Sequence, residues 1–543
     1  MSREQLAFIA IDRGTATVAA SLIVRIAGRW RLAAATAAPA SIPDDAVVGR
    51  LRTRLVAADP DLATWLDLAD EGATADLPPI VSITTRPPEM AVVAATERVL
   101  APLAAIAATA GWRIRPLVLD GAEILPVATA LADPRVTVVL AGASEPPGAD
   151  ERALLPDLGA IVAAATERRP DLVTVLAGGL AEPGGRTEQM FRPDRPGPTV
   201  LAPSPASGDG EPLRDLLDSL RGGELDGHRS LAAATGTLAE VMGRRVEVLD
   251  IGQAAGVRVA AAPIVGHAPA VRAATVASAA LLPPAFTDAN LDEIMAWLTV
   301  PVDRLRARDR LREMALVPWG DAAGEGAQLR LAAAKAAVVR LLAATPRFEA
   351  GPGPDLLVAT GGAWQVAPGP AVALALADTV RRPGIRAMGW DHARLLAPLG
   401  TIEDPDERRA VIADLRDDLL APLGSVLVAG DLRSGRTTGT MTVRAMANAG
   451  SVDEAATVDL DLVAGGLELV DLPPGERAEV EVRFRDAVDL GPRVRHASAL
   501  VTGGLAGMLV DLRGVPMVLP DRLDERRELL ASWQAPLWPG ADE

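Results

Sequence analysis

Short apolar runs, each closed by a glycine-bearing turn, mark the first four hundred positions of this chain. In LAFIAIDRGTATVAASLIVRI, residues 6–11 read as a buried strand, 12–15 as a tight turn and 18–26 as the returning strand. PIVSITTR predicts a short strand, MAVVAATERVLAPLAAIAATAGW a helix and RIRPLVLDGA another strand. VTVVLAGASEPPGADERALL and LVTVLAGGLAEPGG echo each other, each an apolar strand ending in Ala-Gly before a Pro/Gly loop, with the helical RALLPDLGAIVAAATE between them. Strand, helix, strand with glycine at the strand ends is the grammar of parallel α/β units, with or without a true repeat. A Pro/Gly/Ser-rich loop is predicted from Phe191 to Gly210. SLAAATGTLAEVMG follows as a helix, and RRVEVLDIGQAAGVRVAAAP returns to strand, tight turn, strand. NLDEIMAWL and AQLRLAAAKAAVVRLLAATP carry helical periodicity, and DLLVATGGAW then ends a buried strand on a bare double glycine.

The pattern changes near Pro405. DPDERRAVIADLRDDLLAPLG predicts a charged helix with its acids at the N-terminal end. VLVAGDLRSGRTTGTMTVRAM, LELVDLPPGERAEVEVRFRDAVDLG and LAGMLVDLRGVPMVLP then alternate short strands with Gly/Pro turns, and DRLDERRELLASW closes the chain as a helix. This predicts a separate all-β domain over 421–543 whose removal leaves the rest folded.

At 543 residues the chain exceeds one core, so several domains are expected. It is 49% hydrophobic and 23% charged, as a folded soluble protein should be. The net charge of −17 argues against nucleic acid or an anionic membrane as partner, since both need a basic face. Lys335 is the single lysine among 54 basic residues, which removes a P-loop and leaves one unpromising Schiff-base candidate. No cysteine is present, which fits a reducing cytoplasm, and the N-terminus has no leader pattern. His228, His267, His392 and His496 lack ligand spacing, so zinc is not expected. There is no G-x-S-x-G elbow. Trp30, Trp112, Trp364 and Trp390 read as core or cleft-wall residues, and Gly430–Val443 reads as a hairpin turn before an anion nest.

Three strand-turn elements carry the candidate chemistry: IDRGTAT from Ile11, LDIGQAAG from Leu249 and VATGGAW from Val358. Each alone reads as an ordinary turn. In order and spacing the trio resembles the actin-like ATPases, in which two Asp-x-Gly hairpins face each other across a cleft and a Gly-Gly turn follows. That resemblance implies a two-lobed actin/ribonuclease-H-like α/β fold, with lobes over 1–240 and 241–420 and the β domain appended. It implies ATP and Mg²⁺ as cofactors, with Asp12 and Asp250 at the metal. Gly14, Thr15, Thr17, Gly252 and Gln253 would lie at the phosphates, and Thr360, Gly361 and Gly362 would form the adenosine turn.

VTVVLAGASEPPGADE, DLLVATGGAWQVAP and MGWDHARLLAPLGTIED narrow the resemblance to the MutL-type accessory proteins of glutamate mutase, over about residues 5–405. That family implies a nucleotide-driven, chaperone-like role toward an adenosylcobalamin-dependent mutase. The chain departs from the family where chemistry would occur. Its first hairpin lacks the second hydroxyl position and the lysine of DxGSTxTK. Its second, Asp250-Ile251-Gly252-Gln253-Ala254-Ala255-Gly256-Val257, lacks both threonines and the second acid of DxGGxTTD. Loss of one such contact costs roughly 10²–10³ in rate, so weak or absent hydrolysis is expected. Two readings stay open: a nucleotide-binding accessory protein, and a pseudo-ATPase scaffold that binds protein partners without nucleotide. A sugar or acid kinase ranks last for want of a catalytic base, and self-association is left open.

Overall fold

The computed structural model describes residues 6–66, 77–119, 124–181, 198–222, 226–283, 285–320, 322–349, 351–432, 436–446 and 457–539. The loop expected from Phe191 lies outside these residues as far as 197, as does part of the turn within Gly430–Val443. Contacts divide the chain into two compact units: residues 86–224 with 274–278, and the remainder.

In the larger unit, β1 (Ala7–Arg13), β2 (Thr17–Ile26), β3 (Arg29–Pro39) and β4 (Pro79–Ile83) form a sheet in the order β3-β2-β1-β4. β1 runs antiparallel to β2 and parallel to β4. Both faces are apolar. Ala7, Ile9 and Ile11 pack beneath the helix Asp44–Ala58, while Phe8, Ala10 and Ile23 share a core with the helix Gly227–Met242. The open edge of β3 is closed by acids of the charged helix region. The backbone N–H of Trp30 donates to Asp414 at 3.1 Å and that of Leu32 to Asp418 at 3.3 Å. An unpaired strand edge is thereby satisfied without another strand.

The smaller unit holds β5 (Glu89–Ala94), β6 (Arg113–Val118), β7 (Val136–Ala143), β8 (Val173–Gly178) and β9 (Thr199–Leu201), all parallel, in the order β6-β5-β7-β8-β9. This is the doubly wound arrangement. The segment expected as one long helix from Met90 divides instead. Its first residues form β5, buried on both faces, and the helix starts at Glu97. Met90 and Val92 face one core and Ala91 and Val93 the other, so the central strand takes a run that periodicity alone cannot distinguish from helix. The two Ala-Gly strand ends are neighbours. Gly178 adopts φ +63°, and a Cβ there would lie 1.9 Å from the Ala143 carbonyl oxygen. Beyond these ends, Glu151 accepts from the Ser144 N–H at 2.7 Å.

A second sheet, β10 (Val246–Ile251), β11 (Gly256–Ile264), β12 (His267–Val276), β13 (Leu356–Thr360) and β14 (Gly384–Trp390), belongs to the larger unit, β12 up to residue 273, and repeats the scheme of the first sheet in the order β12-β11-β10-β13-β14. β10 is antiparallel to β11 and parallel to β13, as β1 is to β2 and β4. The same three-strand meander followed by a parallel strand, built twice, is the duplicated ribonuclease-H-like topology of the actin-like fold. Three strands of the tail extend this sheet: β15 (Ala421–Val428) antiparallel to β14, β21 (Met508–Asp511) parallel to β15, and β18 (Leu467–Val470) on the outside. The remaining tail strands, β16 (Thr437–Ala445), β17 (Thr457–Val463), β19 (Arg477–Asp489) and β20 (Arg493–Thr502), form the added all-antiparallel sheet. β19 alternates buried and exposed residues, as a strand with one wet face should. Its buried Val480, Val482 and Phe484 share a core with Leu427 of β15 and Met508 of β21.

Candidate functional site

Asp12 and Asp250 end β1 and β10 at equivalent places. Asp12 pairs with Ser82 of β4, and Asp250 with Thr360 of β13. Two residues later each chain turns in the same way. The Gly14 N–H donates to the Thr17 carbonyl at 2.8 Å and the Gly252 N–H to Ala255 at 3.0 Å. The two hairpins face one cleft in the larger unit. Its walls include Asp12, Gly14, Thr15, Thr17, Asp250, Gly252, Gln253, Thr360, Gly361 and Gly362, so every candidate residue from the sequence lies on it. His228, Arg330, Asp391 and Arg394 line it as well, without any role having been assigned to them from the sequence.

Arg394 dominates the first hairpin. Its Nε donates to Asp12 Oδ2 at 2.7 Å, and its Nη2 also reaches that oxygen. Nη2 donates to the Asp12 carbonyl at 3.2 Å, and Nη1 to the Thr17 hydroxyl. The other carboxylate oxygen of Asp12 accepts from the Ser82 hydroxyl at 2.8 Å. Asp12 is 9% and Arg394 5% exposed, so this charged pair is largely removed from water. Burying an ion pair is tolerated where each partner is multiply hydrogen-bonded, as here.

Thr360, expected at an adenosine, is engaged by the protein. Its hydroxyl donates to Asp391 Oδ2 at 3.0 Å. Asp391 also accepts from the N–H groups of Leu395 and Leu396 at 2.8 and 3.1 Å, which fixes the start of the segment carrying Arg394. Burial pushes the Asp391 carboxyl up to about 6 against these three donors, and the Asp12 charge adds to the rise. The glycine requirement of the Thr-Gly-Gly turn is likewise internal. Gly361 adopts φ +97°, and a Cβ there would stand 2.2 Å from Asp250 Oδ1 and 2.6 Å from the Ile251 carbonyl oxygen. The double glycine therefore lets β13 turn against the Asp250 hairpin, whatever the cleft holds. Trp364, just beyond it, is fully buried.

Mg²⁺ does not fit the first hairpin as it is built. Both oxygens of Asp12 are taken, and among the described residues no group of three or more His, Asp or Glu could hold a metal. Among the described residues Asp250 has no such partner. Burial, with the Asp12 charge adding to it and the Arg394 cation opposing both, pushes its pKa up to about 7. The sign follows from linkage. The folded state holds this proton more tightly than the unfolded chain, so stability is full at acid pH and falls as pH rises from about 4 to about 7. Asp250→Asn removes that titration. Its stability relative to wild type is expected to improve with rising pH, by about 2 kcal/mol between pH 4 and 8, half of what a three-unit shift would give, because one side faces the open cleft. Urea unfolding at both pH values measures it, and a difference independent of pH counts against the assignment.

No family model and no curated protein matches the chain. Among solved structures, a ROK hexokinase from Thermus thermophilus is 14% identical, covering 73% of this chain and 97% of its own, with a TM-score of 0.23. Nucleotide-free acetone carboxylase is 13% identical over 84% of this chain and 81% of its own (TM-score 0.28). A PilM–PilN type IV pilus biogenesis complex is 14% identical over 76% and 99% (TM-score 0.22). Scores this low add nothing to what the strand order states by itself. The fold, on that order, is of the actin-like class.

Proposed function

We propose that this protein is a non-hydrolysing accessory or scaffold factor of the actin-like class, acting through a protein partner and not through ATP turnover. The observation that supports this is Arg394, whose guanidinium engages Asp12 and Thr17, the residues a Mg²⁺·phosphate group would need. The second hairpin supports the same reading, since Gln253, Ala254 and Ala255 supply no hydroxyl and no second acid. The resemblance to glutamate mutase accessory proteins suggests an adenosylcobalamin-dependent mutase as partner. A net charge of −17 and the absence, among the described residues, of a helix long and apolar enough to cross a membrane agree with a protein surface as the target.

Mg·ATP is expected to leave the melting temperature unchanged, and ATP turnover to stay below about 1 s⁻¹, the low end of ordinary enzymes. A nucleotide present at a hundred times its Kd would add about 2.7 kcal/mol and be plain in a thermal shift. A shift without turnover would favour the reading in which nucleotide binds and is not cleaved. Turnover above that rate would end the proposal.

A further inference from the structure

The geometry points to Arg394 as a resident cation that takes the place of a divalent metal in the cleft and latches the first hairpin to the segment after β14. The inference rests on the non-hydrolysing reading above and adds what holds the cleft in its place.

Four oxygens surround the guanidinium: Asp12 Oδ2, the Asp12 carbonyl, the Thr17 hydroxyl and the Thr17 carbonyl. A hard divalent cation takes this kind of donor set, a carboxylate with carbonyl and hydroxyl oxygens. Around them lie Asp250 and Asp391, so the cleft, which Arg330 also lines, gathers three carboxylates, and Arg394 is the cation bonded to Asp12. Removing the guanidinium would leave the largely buried Asp12 carboxylate without the cation that bonds it.

The backbone carries an independent sign. Arg394 sits at φ +56°, a left-handed conformation that costs a bulky L-residue free energy. Such an outlier persists where its surroundings over-determine it, and here the side chain reaches oxygens of Asp12 and Thr17 on the opposite hairpin. Gly14 leaves the room. A Cβ there would lie 3.2 Å from Arg394 Nη2.

The latch holds the first hairpin against the segment after β14 at more than one point. β2 and the segment after β14 meet again where the Ser21 hydroxyl donates to the Ala393 carbonyl at 3.4 Å. The ion pair next to that contact ties β1 to the segment that follows β14.

The test replaces Arg394 and offers the metal itself. Wild type should show no thermal shift with millimolar MgCl₂ or MnCl₂, and no bound Mn²⁺ by electron paramagnetic resonance. Arg394→Ala should melt lower than wild type, regain stability with MnCl₂ and bind the ion saturably. Asp12→Asn combined with Arg394→Ala should lose that response. Arg394→Gln, which keeps more of the side-chain volume, serves as the second variant and should behave like Arg394→Ala. Folded variants that ignore Mn²⁺ overturn the assignment. So do variants that stay unfolded with Mn²⁺ present throughout refolding, because a divalent ion should then take the arginine's place. Wild type binding Mn²⁺ as tightly as Arg394→Ala also overturns it. ATP turnover by wild type would instead defeat the non-hydrolysing reading, so the two failures are separable.

Discussion

A fragment ending at residue 420 should fail to fold as a cooperative unit, although the sequence pattern predicts a tail that can be removed. β15 begins at Ala421 and lies inside the eight-stranded sheet, paired with β14 on one side and β21 on the other. Leu423, Val426, Leu427 and Val428 are at most 2% exposed. Losing their burial alone costs about 6–12 kcal/mol, comparable to the whole stability of an ordinary domain. The cut would also expose the edge of β14 and uncover Gly369, whose α-carbon is covered by Leu423 and Leu505. Expression of residues 1–420, with gel filtration and circular dichroism melting, should give aggregate or a non-cooperative species. A soluble fragment with a sharp melt would show that the tail strands only lean on a core complete without them.

Asp378→Asn should destabilise the larger unit by about 3–5 kcal/mol, the cost of stranding buried charge. Asp378 is 2% exposed and accepts from Lys335 at 2.6 Å and from Arg513 at 2.7 Å. Burial works against its charge, but the two cations prevail and hold its pKa below the ordinary range. Arg513 continues to Asp511, which in turn pairs with Arg381, so one buried network joins the helices Gly324–Ala344 and Gly369–Thr379 to the end of β21. Asparagine keeps the shape and removes the charge, leaving Lys335 and Arg513 facing a neutral amide. Denaturant unfolding followed by circular dichroism measures the loss. Glu525→Gln, on the exposed pair with Arg522, is the control and should stay within about 0.5 kcal/mol. A loss for Asp378→Asn no larger than the control's would mean that water reaches the network.

Lys335 shows how far a residue can be singled out by sequence before its meaning is visible. One lysine in so arginine-rich a chain is conspicuous in composition, yet it read only as an unpromising nucleophile. The structure places its ammonium in a fully buried position, 5.6 Å from the centre of the Trp297 ring and bonded to a carboxylate 43 residues away. The compact ammonium is held there on both sides, and a forked guanidinium is a different shape with different needs.

The local grammar was legible from the chain alone. Two Asp-x-Gly turns between apolar runs give hairpins because glycine and a short acid suit the turn and the flanking residues suit buried strands. Their order along the chain pointed to one cleft, and the candidate residues do line one. What occupies the hairpin was decided only in three dimensions. Arg394 lies 382 residues from Asp12 within the MGWDHARLLAPLGTIED stretch, which says nothing of where its charge goes, so no spacing rule could bring it to that carboxylate. A double glycine such as Gly361-Gly362 can serve close packing or an approaching ligand, and the position of Asp250 against Gly361 supports packing. The tail shows the same division. Its strands and turns are local, and the sequence carries them. Strand partners are non-local, and a buried run such as β15 looks the same whether it completes its own sheet or that of β14.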